Sequence, residues 1–97
     1  MDATAIFPTD QAERHMATLV DHFARKVPAF YDAQSGCVEF PFGRCDLAAS
    51  QDHLRLVASA DDQEQLGTVV DVITRHLERF AFRENPILDW QPNTGND

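Results

Sequence analysis

The chain has 97 residues, 43% of them apolar and 25% charged, which fits one globular domain and excludes a chain disordered throughout. Sixteen acids (16) against 8 bases leave a net charge of −8. A surface this acidic lacks the positive footprint that nucleic acid and anionic membranes need, so neither is an expected partner.

Taken in chain order, Ala3–Phe7 is a candidate short strand, and whether it joins a sheet is left open. Pro8–Thr9–Asp10 reads as a helix start, with Asp10 and Glu13 spaced as a capping box. Ala12, Met16, Leu19, Val20, Phe23 and Val27 then recur at helical spacing and form one apolar face, which Pro28 ends.

From Ala29 to Ala60 the period changes to two. Four strands are expected, about Phe30–Gln34, Cys37–Phe42, Cys45–Ser50 and His53–Ala60, with turns at Ser35–Gly36, Gly43–Arg44 and Gln51–Asp52. Links this short require an antiparallel meander. A Gly43–Arg44 turn would pair Phe42 with Cys45 and Cys37 with Ser50, too far out of step for a disulfide within the chain. The ladder should weaken near Pro28 and Pro41, which have no N–H to donate.

Asp61–Asp62 opens a second helix whose apolar face is Leu66, Val69, Val70, Ile73, Leu77, Phe80 and Ala81. Gly67 inside it suggests a close approach to the sheet, and Asn85–Pro86 ends it. Ile87, Leu88 and Trp90 are expected to fold back as an anchor. Residues 1–90 thus read as a single α+β domain followed by a disordered polar tail, 91–97. The expected architecture has two layers: a four- or five-stranded antiparallel sheet with both helices on one face, in the order β?-α-β-β-β-β-α.

No stretch approaches the ~20 apolar residues of a membrane span, and Met1–Asp2 does not open a signal peptide, so a cytoplasmic location is expected. Catalytic motifs such as G-x-S-x-G, a glycine-rich phosphate loop, H-E-x-x-H or C-x-x-C do not occur, and no motif names a cofactor. Cys45 follows Arg44, but a strand cysteine reads first as packing. His15 and His22 are seven residues apart, or ~10 Å along a helix, too far to share a metal ion unaided.

One pattern stands out. Projected down the first helix, His15, His22 and Lys26 fall within about 40° at the edge of the apolar face; on the second, His76, Arg79 and Arg83 fall within about 60°. Two explanations compete. Boundary cations can lay their stems over the core and pair with surplus acids such as Asp21, Glu78 and Glu84. Alternatively the stripes converge and make a site for an anionic or metal-chelate small ligand, with His22, Lys26, His76, Arg79 and Arg83 as its residues.

HFARK (His22 to Lys26), HLERFAFRE (His76 to Glu84) and the alternating segment from Gly43 to Leu56 resemble the bacterial family called domain of unknown function 2218. The resemblance runs from Thr9 to Trp90. It implies that His22, Lys26, His76, Arg79, Phe80, Arg83 and Glu84 match the family's pattern. Asp21 departs from it, standing where a cysteine is common. Some members of the family lie beside, or are fused to, siderophore-interacting proteins, which implies a link to iron uptake and a siderophore-interacting protein as a partner.

The leading expectation is therefore a non-enzymatic accessory or small-ligand-binding domain connected with iron or siderophore handling. The alternative is a homodimerising or protein-docking module that uses the outer face of the sheet, where Ala48, Ser50, Val57 and Ser59 supply small side chains. A small enzyme using His22 or His76 as acid or base comes last, since no partner constellation supports it.

Overall fold

Two periodicities sort the chain into two layers. The computed structural model describes residues 1–84 and 86–92. It runs β1 (Asp2–Pro8), α1 (Ala12–Phe23), β2 (Ala29–Tyr31), β3 (Ser35–Phe40), β4 (Gly43–Ala49), β5 (His53–Ser59), α2 (Gln63–Phe80), a 3-10 turn (Phe82–Glu84) and β6 (Gln91–Pro92). The architecture is α+β, with an antiparallel sheet and both helices packed on one face.

The sheet order is β2-β3-β4-β5-β1-β6. The middle four strands form the expected meander. The N-terminal segment left open by the sequence joins the sheet, with all seven residues of β1 paired to β5 from Asp2↔Ser59 to Pro8↔His53. The alternation Ala3, Ala5, Phe7 explains why: three apolar side chains reach the core at period two while Thr4 and Ile6 face away. Gln91 and Pro92 pair with Thr4 and Ala3 at the edge of β1. The rest of the expected tail, 93–97, lies outside the described residues.

The register between β3 and β4 differs from the expectation. The hairpin turns at Pro41–Phe42, so Phe40 pairs with Gly43, Val38 with Cys45 and Cys37 with Asp46. Gly43 is a strand residue that permits close packing: a Cβ there would stand 2.5 Å from the Ser59 carbonyl oxygen and 2.8 Å from Val69 Cγ2. Ser35 and Gly36 likewise belong to β3, and the preceding loop is 32–34. Pro41 therefore falls outside the ladder, while the Pro28 carbonyl still accepts from the Glu39 N–H at 2.9 Å. Cys37 and Cys45 are both free and buried. What separates them is the pleat: residues one step out of pairing point to opposite faces.

The helices also differ from the expectation in detail. Asp10 does not cap α1. Gln11 holds the N-cap position without a side-chain cap bond, and its N–H instead donates to Thr9 Oγ1 at 3.1 Å. Thr9 is itself tied down, its N–H donating to the Asp52 carbonyl at 3.0 Å, so tertiary contact overrides the local capping choice. α1 ends at Phe23, and Val27 packs half-buried from the turn that follows. α2 starts as read, with Asp62 accepting from the Gln65 N–H at 2.8 Å. Gly67 is exposed, and a Cβ there would meet nothing within 4 Å; it makes no close approach to the sheet. Leu88 and Trp90 pack against the core, Trp90 donating from Nε1 to Thr74 Oγ1 at 2.9 Å, whereas Ile87 remains 78% exposed.

The core lies between the layers. Phe7, Val38, Cys45, Leu47, Leu54, Leu56 and Ala58 from the sheet meet Met16, Leu19, Val20 and Phe23 of α1 and Val69, Ile73 and Leu77 of α2. Full burial of each large side chain contributes about 1.5–3 kcal/mol. This packing fixes the rotation of both helices, and with it the placement of the boundary residues. No helix is long and apolar enough to cross a membrane, among the described residues.

Candidate functional site

α1 and α2 lie side by side in opposite directions: His22, near the end of α1, faces His76 in α2, and His15, near the start of α1, faces Glu84 beyond the end of α2. The two stripes read from the sequence therefore meet, but at two places rather than one.

The first place joins His22 and His76. Their ring centroids are 4.9 Å apart, with the planes inclined at 48°. The rings rest on an aromatic floor. Phe23 stands 4.7 Å from His76 and 5.4 Å from His22, Phe80 stands 5.2 Å from His22, and Phe40 backs Phe23 at 5.1 Å. Phe23 is buried, so the pair sits directly on the core. His76 is held by a 2.7 Å bond between Nδ1 and the Val72 carbonyl. A carbonyl only accepts, so Nδ1 carries the proton and Nε2 is left with the lone pair in the neutral ring.

Positive charge gathers here. His22 is held below its ordinary value, first by desolvation and then by the charges of His76, Arg25, Lys26 and Arg79. None of Arg25, Lys26 and Arg79 has a carboxylate within ion-pair distance among the described residues; the ion pairs are those of the N-terminus, His15, Arg44, His53 and Arg75. Cations near a helix C-terminus complement its dipole, which accounts for Arg25 and Lys26 singly. It does not account for α2 and the turn after α1 bringing three cations and two imidazoles together, with none of the cations in an ion pair among the described residues, in a chain carrying 16 acids and 8 bases.

The second place is closed by an acid. Glu84 accepts from Thr9 Oγ1 at 2.5 Å through one oxygen and meets His15 Nε2 at 2.6 Å through the other. These two bonds, in that order, lower its carboxyl pKa against a smaller desolvation effect. Arg83 is found beside this second place, and Phe80 borders both. Arg83 lines a groove of about 370 Å³ with Gln11, Arg14, His15 and Glu84.

Of the five residues read from the sequence, His22, Lys26, His76 and Arg79 thus come together, and Arg83 lines the groove beside His15 and Glu84. Arg25 belongs to the group and was not read: on a helix continued to Val27 it projects off the His22–Lys26 stripe, but α1 ends at Phe23 and the turn that follows carries both Arg25 and Lys26 near His22. Cys45 is fully buried, and burial pushes its thiol far up, away from the reactive thiolate. Among the described residues no three His, Cys, Asp or Glu side chains form a group able to hold a metal ion. On the outer face of the sheet, Ala48, Val57 and Ser59 alternate with Arg44, Asp46 and Arg55, and Arg44 is paired with Asp46 at 2.8 Å.

The fold is shared with a solved protein. The NMR structure of PA4090 from Pseudomonas aeruginosa is similar with a TM-score of 0.80 and 27% sequence identity, covering 94% of this chain and 95% of that one. No curated protein matches the chain. The family described as "Uncharacterized protein conserved in bacteria (DUF2218)" matches residues 4–91. The chain belongs to that family.

Proposed function

We propose that the domain is a non-enzymatic binding module for a small anionic ligand, held where α1 and α2 bring His22, His76, Arg25, Lys26 and Arg79 together. The observation that carries this reading is the set of three cations left without carboxylate partners around two imidazoles in a strongly acidic chain. Guanidinium and ammonium groups favour carboxylate and phosphate, and the aromatic floor fixes the two imidazoles beside them. The family's implied tie to siderophore-interacting proteins makes iron or siderophore handling the physiological setting of this proposal.

The test is thermal melting with citrate and with inorganic phosphate as probes. Citrate or phosphate should raise the melting temperature of the wild-type chain, and the shift should disappear in a Lys26→Gln/Arg79→Gln double variant. Arg83→Gln, which alters the groove beside His15, should keep it. A shift that survives the double variant, or that Arg83→Gln removes, would refute the assignment.

A further inference from the structure

The geometry points to a more specific ligand class at this site: a negatively charged metal chelate with two adjacent coordination positions open, which His22 and His76 fill. The inference rests on the anion-binding reading above.

Three observations converge on it. The first is distance. A metal bonds imidazole nitrogen at about 2.0–2.1 Å, which puts it roughly 3.2 Å from the ring centroid, so two imidazoles at about 90–110° around one metal have centroids about 4.5–5.2 Å apart. The observed separation is 4.9 Å. The second is the tautomer. His76 donates Nδ1–H to the Val72 carbonyl at 2.7 Å. A histidine that ligates through one nitrogen usually donates from the other to a carbonyl or carboxylate, which fixes the ring and raises its basicity. The third is charge. A free metal cation placed between the two rings would meet the positive charges of Arg25, Lys26 and Arg79. Those charges favour a metal that arrives already wrapped in anionic donors. With two histidines and no third His, Cys, Asp or Glu in the group among the described residues, the protein does not complete a coordination shell alone. The remaining donors come from the small molecule, so the chelate, not the bare ion, is what the site takes.

Four nickel and control probes separate these statements, titrated against untagged protein and followed by calorimetry and the visible absorption of the metal. Ni(II)–nitrilotriacetate is anionic with two adjacent positions open. Ni(II)–EDTA is anionic with none open. Ni(II)–tris(2-aminoethyl)amine is cationic with two open. Citrate carries negative charge without metal.

The nitrilotriacetate complex should bind about tenfold or more tighter than the other three and shift its visible bands as water is replaced by nitrogen. His22→Gln and His76→Gln should each weaken it about tenfold or more. His22 is exposed, so its variant keeps the comparison clean even where His76→Gln perturbs packing. Arg79→Gln should narrow the gap between the anionic and cationic complexes. Equal binding of Ni(II)–EDTA, citrate and Ni(II)–nitrilotriacetate would leave a plain anion site and overturn the chelate inference alone. Stronger binding of the cationic complex than of the anionic one would overturn the charge selection. No binding of any of the four would overturn both this inference and the anion-binding reading.

Discussion

The two meeting points of α1 and α2 are built from the same residue types and come out oppositely. At one, His15 meets Glu84, which Thr9 also holds, so histidine and acid satisfy each other within a closed network. At the other, His22 meets His76 among three cations that make no ion pair among the described residues. A histidine at a core boundary is therefore not diagnostic by itself; what it faces across the helix pair decides its role. The closed end is tied by hydrogen bonds, and the open end carries cations without ion-pair partners among the described residues, which is where the proposed ligand would sit.

Removing Glu84 should have the largest effect on stability. Glu84→Ala leaves Thr9 and His15 without their acceptor and should cost about 1–3 kcal/mol in denaturant unfolding. Citrate binding at the open end should not change. If the variant lost citrate binding as well, the two ends would be one cooperative unit and the contrast would fail.

Gly67→Ala supplies a baseline, since it touches neither end. An exposed mid-helix glycine with open space around its Cβ should be improved by alanine, giving about 0.5–1 kcal/mol of added stability. Unfolding free energies of the two chains, compared at equal denaturant slope, check this.

The smallest effect is the most discriminating. His22→Gln should change stability at pH 8 by less than about 0.5 kcal/mol, as exposed substitutions usually do. Its signature is in the pH dependence. The folded chain resists protonation of His22, so that contribution to stability is whole above the ordinary 6.5 and is lost as the pH falls toward the lower folded value. The glutamine variant should flatten this part of the profile. Glu84 acts in a separate window: its folded value is also depressed, so its contribution is whole above 4.5 and is lost as the pH falls through the folded value. A His22→Gln profile that kept the wild-type slope just below pH 6.5 would show that the open end carries no such charge strain.

Much of this was legible because the core sets it. Helical spacing at Met16, Leu19, Val20 and Phe23 and at Val69, Ile73 and Leu77 fixed which faces look inward, and the edge residues His22, Lys26, His76 and Arg79 followed. The strand register was not legible. Gly43 reads as a turn residue from its conformational freedom, yet it is required because Ser59 and Val69 leave no space for a side chain. The turn falls two residues earlier, at Pro41–Phe42, and every β3–β4 partner shifts by an even number. An even shift leaves inward residues inward, so the fold class survived an incorrect register. Arg83 was misplaced for a different reason. The stripe was drawn as one line on α2, whereas α2 ends at Phe80 and Arg83 sits in the 3-10 turn that meets the start of α1.

The position of β1 has a consequence for how the molecule comes to be made. The first strand of the chain is an interior strand, flanked by β5 and β6. A nascent polypeptide holding residues 2–8 outside the ribosome has no partner for them until His53–Ser59 has emerged. Phe7 therefore stays without its β5 neighbours until residues 53–59 have been made, and closing that long loop is an entropic step that local helix formation does not shorten. Slow acquisition of structure, with an early sticky segment awaiting a late mate, follows from this order of strands.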